Sequence, residues 1–174
     1  GTTNFIHGLP IYAVSIALLH RGQVSQAVVY DPTRNELFTA SRGSGTFLND
    51  RRVRVTGRTR FHDALLGAHW PGSAGPDGGA ARFRDMAQGC SGVRRLGSTV
   101  LDLANVAAGR LDGFCGVGLK PWDVAAGSLL VLEAGGLISD FDGEQGWLKS
   151  GDVLAGSPKI FTQMMSSLQP KPAA

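Results

Sequence analysis

Apolar and β-branched residues recur in short runs along the first third of the chain, separated by turn-forming residues. The first two runs flank His20-Arg21-Gly22 and predict a β-hairpin. The later runs follow Asp31–Asn35 and Gly43–Asp50. Both of these segments are rich in turn-forming residues, so we expect turns there. Residues 1–60 therefore predict an antiparallel meander, preceded by a short helix within residues 1–9. The predicted strands are residues 11–19, 23–30, 36–40 and 51–55.

Residues 61–168 alternate helical and extended patterns at short intervals, which predicts an αβ layer of the same domain. The clearest helix begins at Pro121-Trp122-Asp123 and ends at Gly135-Gly136, because proline suits the first turn of a helix and glycine follows the last. Pro71–Gly79 reads as a loop dense in breakers, and residues 169–174 form a loose tail. The other predicted helices are 80–88, 98–108 and 158–168, and the other predicted strands are 64–68, 92–96, 111–117, 137–141 and 153–155.

The composition fits one globular domain over residues 1–174. Hydrophobic residues make up 43% of the chain and charged residues 18%, which is enough apolar material for a core and excludes a disordered chain. No apolar stretch reaches the roughly 18 residues that a membrane-spanning helix needs, so we expect no membrane association. Cys90 and Cys115 form neither a disulfide framework nor a zinc-type spacing, which favours a cytoplasmic protein.

The net charge of +3 is concentrated in a stretch of arginines where Asp50 is the only acidic residue. Val53 and Val55 alternate with these arginines as on a half-exposed strand, and no aromatic residue is interleaved between positions 51 and 60 for base stacking. The pattern favours a solvated strand face over a surface for an anion or acidic partner, and nucleic acid is not expected. The arginines are Arg42, Arg51, Arg52, Arg54, Arg58 and Arg60.

Three predicted helix starts carry residue types that suit a phosphate and a cation. Gly1-Thr2-Thr3 and Gly97-Ser98-Thr99 each combine a glycine with hydroxyls at a helix N-terminus, where free backbone N–H groups attract an anion. Asp123 lies in the first turn of its helix, where a carboxylate is either an ordinary cap or a rigid ligand for a hard metal ion. Convergence of these three starts on one anion and one cation is a hypothesis. The four histidines lack the spacings of zinc sites.

Two segments resemble the signatures of a known enzyme family. Gly1-Thr2-Thr3-Asn4-Phe5 is similar to the second half of the D-P-x-D-G-T-T-N-F motif of the inositol monophosphatase family. About 120 residues later, Pro121-Trp122-Asp123-Val124-Ala125-Ala126-Gly127 with Glu133-Ala134-Gly135-Gly136 resembles its W-D-x-A-A-G…E-A-G-G signature. Gly43–Phe47 and Leu96–Ser98 also fit, so the resemblance covers nearly the whole chain.

The resemblance implies a layered αβαβα sugar-phosphatase fold, a sandwich of α+β and α/β character, that lacks its N-terminal portion because the match begins inside the first motif. It implies a Mg²⁺-dependent phosphomonoesterase like inositol-1-monophosphatase, which hydrolyses a small polyol or sugar phosphate and forms a homodimer. Thr2 resembles the threonine that helps to activate the attacking water, and the Gly1 and Thr2 amides resemble the phosphate cradle. Asp123 resembles a carboxylate that binds metal and a substrate hydroxyl, and Gly97-Ser98-Thr99 lie where the family lines the sugar pocket.

Two departures from the family pattern leave alternatives open. The acidic residues that carry most of the family's metal coordination precede the matched part of the first motif, so residues 1–174 alone are expected to be inactive and poorly monomeric. Gly116 replaces a glutamate that grips sugar hydroxyls, so we expect an opened pocket and a weaker preference for inositol phosphate. Histidinol phosphate and fructose-1,6-bisphosphate are alternative substrates. A catalytically inactive binding or regulatory module that docks through the arginine-rich strand is the alternative function.

Overall fold

Five short strands between residues 14 and 53 form one antiparallel sheet in the computed structural model, which describes residues 1–70 and 79–168. Each strand pairs with the next one along the chain because every connection is a tight turn. The turn predicted over Gly43–Asp50 is wrong in part, since residues 45–48 pair with strands on both sides. The strands are β1 (Val14–His20), β2 (Gln23–Asp31), β3 (Glu36–Ser41), β4 (Gly45–Leu48) and β5 (Arg51–Val53).

A second sheet occupies the later part of the chain. Its strands are β6 (Leu65–His69), β7 (Gly92–Arg94), β8 (Gly113–Gly116), β9 (Leu137–Ser139) and β10 (Val153–Gly156). The order across this sheet is β7-β6-β8-β10-β9. β6 runs parallel to both of its neighbours, whereas β10 runs antiparallel to β8 and β9. His69, the last residue of β6, therefore lies beside Gly116, the last residue of β8.

The described residues contain six helices, four of which form two layers. The six are α1 (Thr2–Ile6), α2 (Gly79–Gly89), α3 (Thr99–Ala107), α4 (Pro121–Glu133), α5 (Trp147–Ser150) and α6 (Pro158–Leu168), with a 3-10 turn at Phe61–Asp63. α3 and α4 pack between the two sheets, and α2 and α6 cover the far face of the second sheet. The short α5 was not predicted. Of the predicted loop 71–79, all but Gly79 lies outside the described residues, as does the predicted tail 169–174.

α4 is the central element of the core. Every residue from Val124 to Val131 is buried, as expected for a helix with a sheet on each side. At its C-terminal end, the Glu133 carboxylate accepts hydrogen bonds from the Gly43 and Gly45 amides, both at 2.8 Å. The Thr46 hydroxyl of β4 donates to the Leu130 carbonyl at 2.6 Å. These bonds fix the end of α4 against the first sheet, so the position of its N-terminal end is also well defined.

The first sheet has one buried and one exposed face. Val29 and Phe38 point into the core between the sheets and are almost fully buried. On the opposite face, here called the outer face, cross-strand neighbours align the apolar side chains of Val14, Ile16 and Leu37. Ile16 is 60% exposed, and no helix of the described residues covers this face. The layers that the structure describes are therefore sheet, helices, sheet and helices. None of the described helices has the length and apolar content that crossing a membrane requires.

Candidate active site

Three helix starts meet at one cleft of about 290 Å³. α1 contributes its first residues, α3 contributes its N-cap and first turn, and α4 contributes the tryptophan and aspartate of its first turn. The segment that enters β1 forms the remaining wall. The convergence proposed from the sequence is thus present in the fold, while the roles of the individual residues remain predictions. The lining residues are Gly1, Thr2, Ala13, Ser15, Ser98, Thr99, Val100, Trp122 and Asp123.

Asn4 joins α1 to the loop that precedes α3. Its buried side-chain amide donates to the Ile11 carbonyl at 2.9 Å and to the Leu96 carbonyl at 2.8 Å. Gly97 packs directly against this amide, with φ at +83°, and a Cβ at this position would lie 2.8 Å from Asn4 Nδ2. Gly97 does not line the cleft, unlike Ser98, which follows it. Glycine at this position therefore allows α1 and the loop before α3 to approach each other closely. These two segments lead into two walls of the cleft.

The start of α3 presents hydrogen-bond donors that have no acceptor within the helix. Its first intrahelical bond runs from the Asp102 amide to the Ser98 carbonyl at 3.0 Å, which leaves the amides of Thr99 and Val100 free of helical partners. Ser98 is the N-cap, and its buried Oγ makes no hydrogen bond to any described residue. A buried polar group without a partner is unfavourable unless a ligand or water satisfies it. This end of the cleft therefore suits an anion.

Asp123 caps its helix and also has an oxygen without a hydrogen-bond partner among the described residues. Its Oδ2 accepts a hydrogen bond from the Lys120 amide at 2.9 Å, so it caps α4. Its Oδ1 has no hydrogen-bond partner in the described part of the chain and lies in a side chain that lines the cleft. Mg²⁺ accepts one or two carboxylates together with waters and phosphate oxygens. Asp123 therefore fits one ligand position for Mg²⁺, although the described residues contain no group of three carboxylate, histidine or cysteine side chains that would hold a metal.

Two further titratable groups near the helix starts were not identified from the sequence. Burial lowers the pKa of His69, and Arg95 acts in the same direction, whereas the Asp123 carboxylate opposes both. His69 therefore lies within electrostatic reach of Asp123 and is neutral at pH 7. Burial also raises the pKa of Asp102 in α3 to about 8, and Asp102 Oδ1 has no hydrogen-bond partner among the described residues. Asp102 does not line the cleft, and it is protonated at neutral pH.

The opened sugar pocket expected at Gly116 is not present. Gly116 is buried at the end of β8, where a Cβ would lie 2.6 Å from Leu119 Cδ1 and 2.9 Å from Phe114 Cε1. Neighbouring apolar side chains therefore occupy the space that a larger residue would need. The missing carboxylate still removes one potential partner for a substrate hydroxyl.

The arginine-rich stretch divides into two sets. Arg58 pairs with buried Asp112 at 3.1 Å, Arg60 pairs with Asp63, and Arg42 donates to a main-chain carbonyl of β2. The second set is exposed and forms no ion pair with any described residue; it consists of Arg51, Arg52 and Arg54. This second set matches the predicted solvated strand face.

Comparisons with known proteins agree with the fold. The model of the Inositol monophosphatase family matches residues 1–172. The chain is 50% identical over 167 residues to the putative Nus factor SuhB of Neisseria meningitidis serogroup B and 48% identical over 171 residues to the inositol-1-monophosphatase of Mesorhizobium japonicum. These matches cover 95% and 97% of this chain and 64% of each relative. The crystal structure of extragenic suppressor protein suhB from Bartonella henselae matches with a TM-score of 0.94 at 44% identity, over 97% of this chain and 66% of that one. The chain therefore spans slightly less than two thirds of the length of these relatives.

Proposed function

Because the chain belongs to the inositol monophosphatase family and has the fold of that family, we propose that it forms the phosphate-binding part of a Mg²⁺-dependent phosphomonoesterase. The observation that carries the proposal is the meeting of the starts of α1, α3 and α4 at one cleft. The substrate class is a small polyol or sugar phosphate, with inositol phosphate, histidinol phosphate and fructose-1,6-bisphosphate as candidates. A homodimer in the cytoplasm is expected.

The phosphoryl group binds where backbone donors have no other acceptor. The amides of Thr99 and Val100 in α3, together with those of Gly1 and Thr2, surround the cleft, and the buried Ser98 hydroxyl adds a donor. These groups are fixed by the fold, so they stabilise charge on the phosphoryl oxygens without reorganising during the reaction. Because α1 has only five residues, its contribution comes from its amides rather than from a helix dipole.

Asp123 and Thr2 supply the side-chain groups of the proposed chemistry. The bond from the Lys120 amide holds the Asp123 carboxylate in one orientation, which leaves Oδ1 for Mg²⁺ or for a substrate hydroxyl. The ion, when bound, lowers the pKa of water and neutralises charge on the leaving oxygen. Thr2 lines the same cleft, and in this proposal its hydroxyl orients the attacking water.

A second candidate function is that of a binding module in transcription. Several relatives, including those of Neisseria meningitidis and Pseudomonas aeruginosa, are named as Nus factors or putative Nus factors. Arg51, Arg52 and Arg54 are exposed without an ion-pair partner among the described residues, and a surface of this kind suits an acidic partner. The two functions use different surfaces, so one protein can have both.

The substitution Asp123→Asn in the natural protein tests the phosphatase proposal. The amide keeps an oxygen for the cap but removes the negative charge, so Mg²⁺-dependent phosphate release should fall about a hundredfold or more, as expected for the loss of several kcal/mol of charge stabilisation. Asp50→Asn is the matched control, because Asp50 lies exposed in the turn between β4 and β5. Thermal unfolding should be the same for both variants. An unchanged rate for Asp123→Asn at saturating Mg²⁺ would refute the assignment.

A further inference from the structure

A second cavity, of about 330 Å³, lies toward the opposite end of α4 from the candidate active site. Its floor is the α4 segment Ser128–Leu132, and its other walls come from the hairpin turn at Gly22–Val24 and from residues 145–148. At 1.5 Å of rise per residue, this floor lies roughly 8 to 14 Å along the helix axis from Asp123. The two cavities share no lining residue, so this one is a separate site.

Two residues of the cavity wall carry hydrogen-bond donors with unused capacity. The indole Nε1 of Trp147 is buried and has no acceptor within the part of the chain that the structure describes. Arg42 donates from Nε and Nη2 to the Val24 carbonyl, at 3.2 and 2.9 Å, while its Nη1 makes no hydrogen bond to a described residue. No carboxylate lines the cavity, and Arg42 forms no ion pair with a described residue. The wall is therefore complementary to an acceptor that carries negative charge.

Three further polar residues, Gln23, Ser128 and Gln145, line the cavity, and the remaining side chains of the lining are apolar. Val24, Leu129 and Ile138 are buried residues of the main core and present hydrocarbon to the cavity, and Leu132 lies at its exposed side. A ligand that satisfied only the donors would leave this surface against water. The volume is at the small end of the range for ligand sites, roughly 300–1,000 Å³, which limits the ligand to a compact molecule.

We propose that this cavity binds a small organic carboxylate with an apolar body. Its two oxygens accept hydrogen bonds from Arg42 and from the Trp147 indole, and its hydrocarbon part packs on Leu129 and Ile138. One cationic group and two donors match the single charge and two oxygens of a carboxylate. The inference goes beyond the phosphatase proposal and does not depend on it.

Nuclear magnetic resonance of the indole N–H groups tests this site directly. The chain has three tryptophans, of which Trp122 lines the active-site cleft and provides an internal control. The Trp147→Phe variant identifies the Trp147 signal by its loss. Titration of the ¹⁵N-labelled protein with phenylacetate should shift the Trp147 signal with saturation in the millimolar range and leave the Trp122 signal in place. Phenylacetamide, which has the same ring without the charge, should produce a much smaller shift.

Arg42 variants separate the charge from the shape of the cavity. Arg42→Gln should weaken phenylacetate binding by roughly tenfold or more, the loss expected for a hydrogen bond to a charged group, and Arg42→Lys should recover part of it. The other indole signals of each variant check that the fold is retained. An unmoved Trp147 signal at tens of millimolar phenylacetate would mean that the cavity holds only water and would overturn the proposal. Equal shifts with phenylacetamide, equal affinity in Arg42→Gln, or parallel unsaturated shifts of Trp122 and Trp147 would overturn it as well.

Discussion

Replacement of Gly97 by alanine should be more destabilising than replacement of most other glycines in this chain. Gly97 adopts φ of +83°, and its added Cβ would lie 2.8 Å from Asn4 Nδ2 and 3.0 Å from Asn4 Oδ1. The left-handed backbone conformation and the steric contact with Asn4 therefore both destabilise the Gly97→Ala variant. The Asn4 amide cannot move away without weakening its bonds to the Ile11 and Leu96 carbonyls.

The expected loss has two parts. A left-handed conformation costs an alanine about 1–2 kcal/mol. Displacing the Asn4 amide weakens two hydrogen bonds, at about 1 kcal/mol each. Gly97→Ala should thus lower the free energy of unfolding by roughly 2–4 kcal/mol. Gly118 is the matched control, because its φ is +67° and a Cβ there would have no neighbour within 4 Å. Gly118→Ala should lose only the conformational part, about 1–2 kcal/mol.

Urea unfolding of the single variants and of the Asn4→Ala, Gly97→Ala double variant measures both parts. In the Asn4→Ala background the clash is absent, so the added cost of Gly97→Ala should fall to that of Gly118→Ala. The cycle should therefore report a coupling of about 1–2 kcal/mol between positions 4 and 97. If Gly97→Ala costs no more stability than Gly118→Ala, or if the effects of the substitutions at positions 4 and 97 are additive, Gly97 does not pack against the Asn4 amide as described.

Three further predictions concern pH, association and substrate selection. The pKa of Asp102 is about 8 in the folded chain and near 3.9 in the unfolded chain, so the free energy of unfolding should fall as the pH rises between these values. In urea unfolding, Asp102→Asn should show a smaller pH dependence and should be more stable than the unsubstituted protein by a few kcal/mol at pH 8. Parallel pH profiles for the two proteins would contradict this. The 174-residue chain should self-associate through its outer face, so Ile16→Lys should shift size-exclusion elution toward the monomer. The substitution should change the free energy of unfolding by less than about 0.5 kcal/mol. Elution at an unchanged position would show that association does not use the outer face. Discrimination among inositol, histidinol and glycerol phosphates should stay below roughly 10⁴ in kcat/KM. A larger preference for inositol phosphate would contradict this.

Local patterns predicted much of the secondary structure. The helix over residues 158–168 has the predicted bounds, because Ile160, Met164 and Leu168 recur at helical spacing and face the second core cluster. The start of α4 follows from its proline and capping aspartate. The two family signatures were enough to identify the family, which the comparisons confirm.

Features that depend on distant residues were not predicted. β4 was hidden by the turn signal of Gly43-Ser44-Gly45, and its strand conformation depends on pairing with β3 and on the bond from Thr46 to Leu130. The filling of the Gly116 site by Leu119 is likewise a matter of side-chain packing. His69 carried one weak signal, its place directly after the strand predicted over residues 64–68, because ligand sites of parallel sheets occur at strand ends.

The hydrogen bond from the Asn4 side chain to the Leu96 carbonyl also limits how early the cleft can form during synthesis. Its partners are separated by 92 positions along the chain, and Asp123 follows later still. At a synthesis rate of roughly 5–20 residues per second, about 6 to 25 s pass between the appearance of α1 and that of Asp123. Throughout that interval α1 does not have both the loop before α3 and the start of α4 beside it, so the cleft is incomplete. The cleft is therefore a late product of folding, assembled only after both sheets have strands to hold the helices between them.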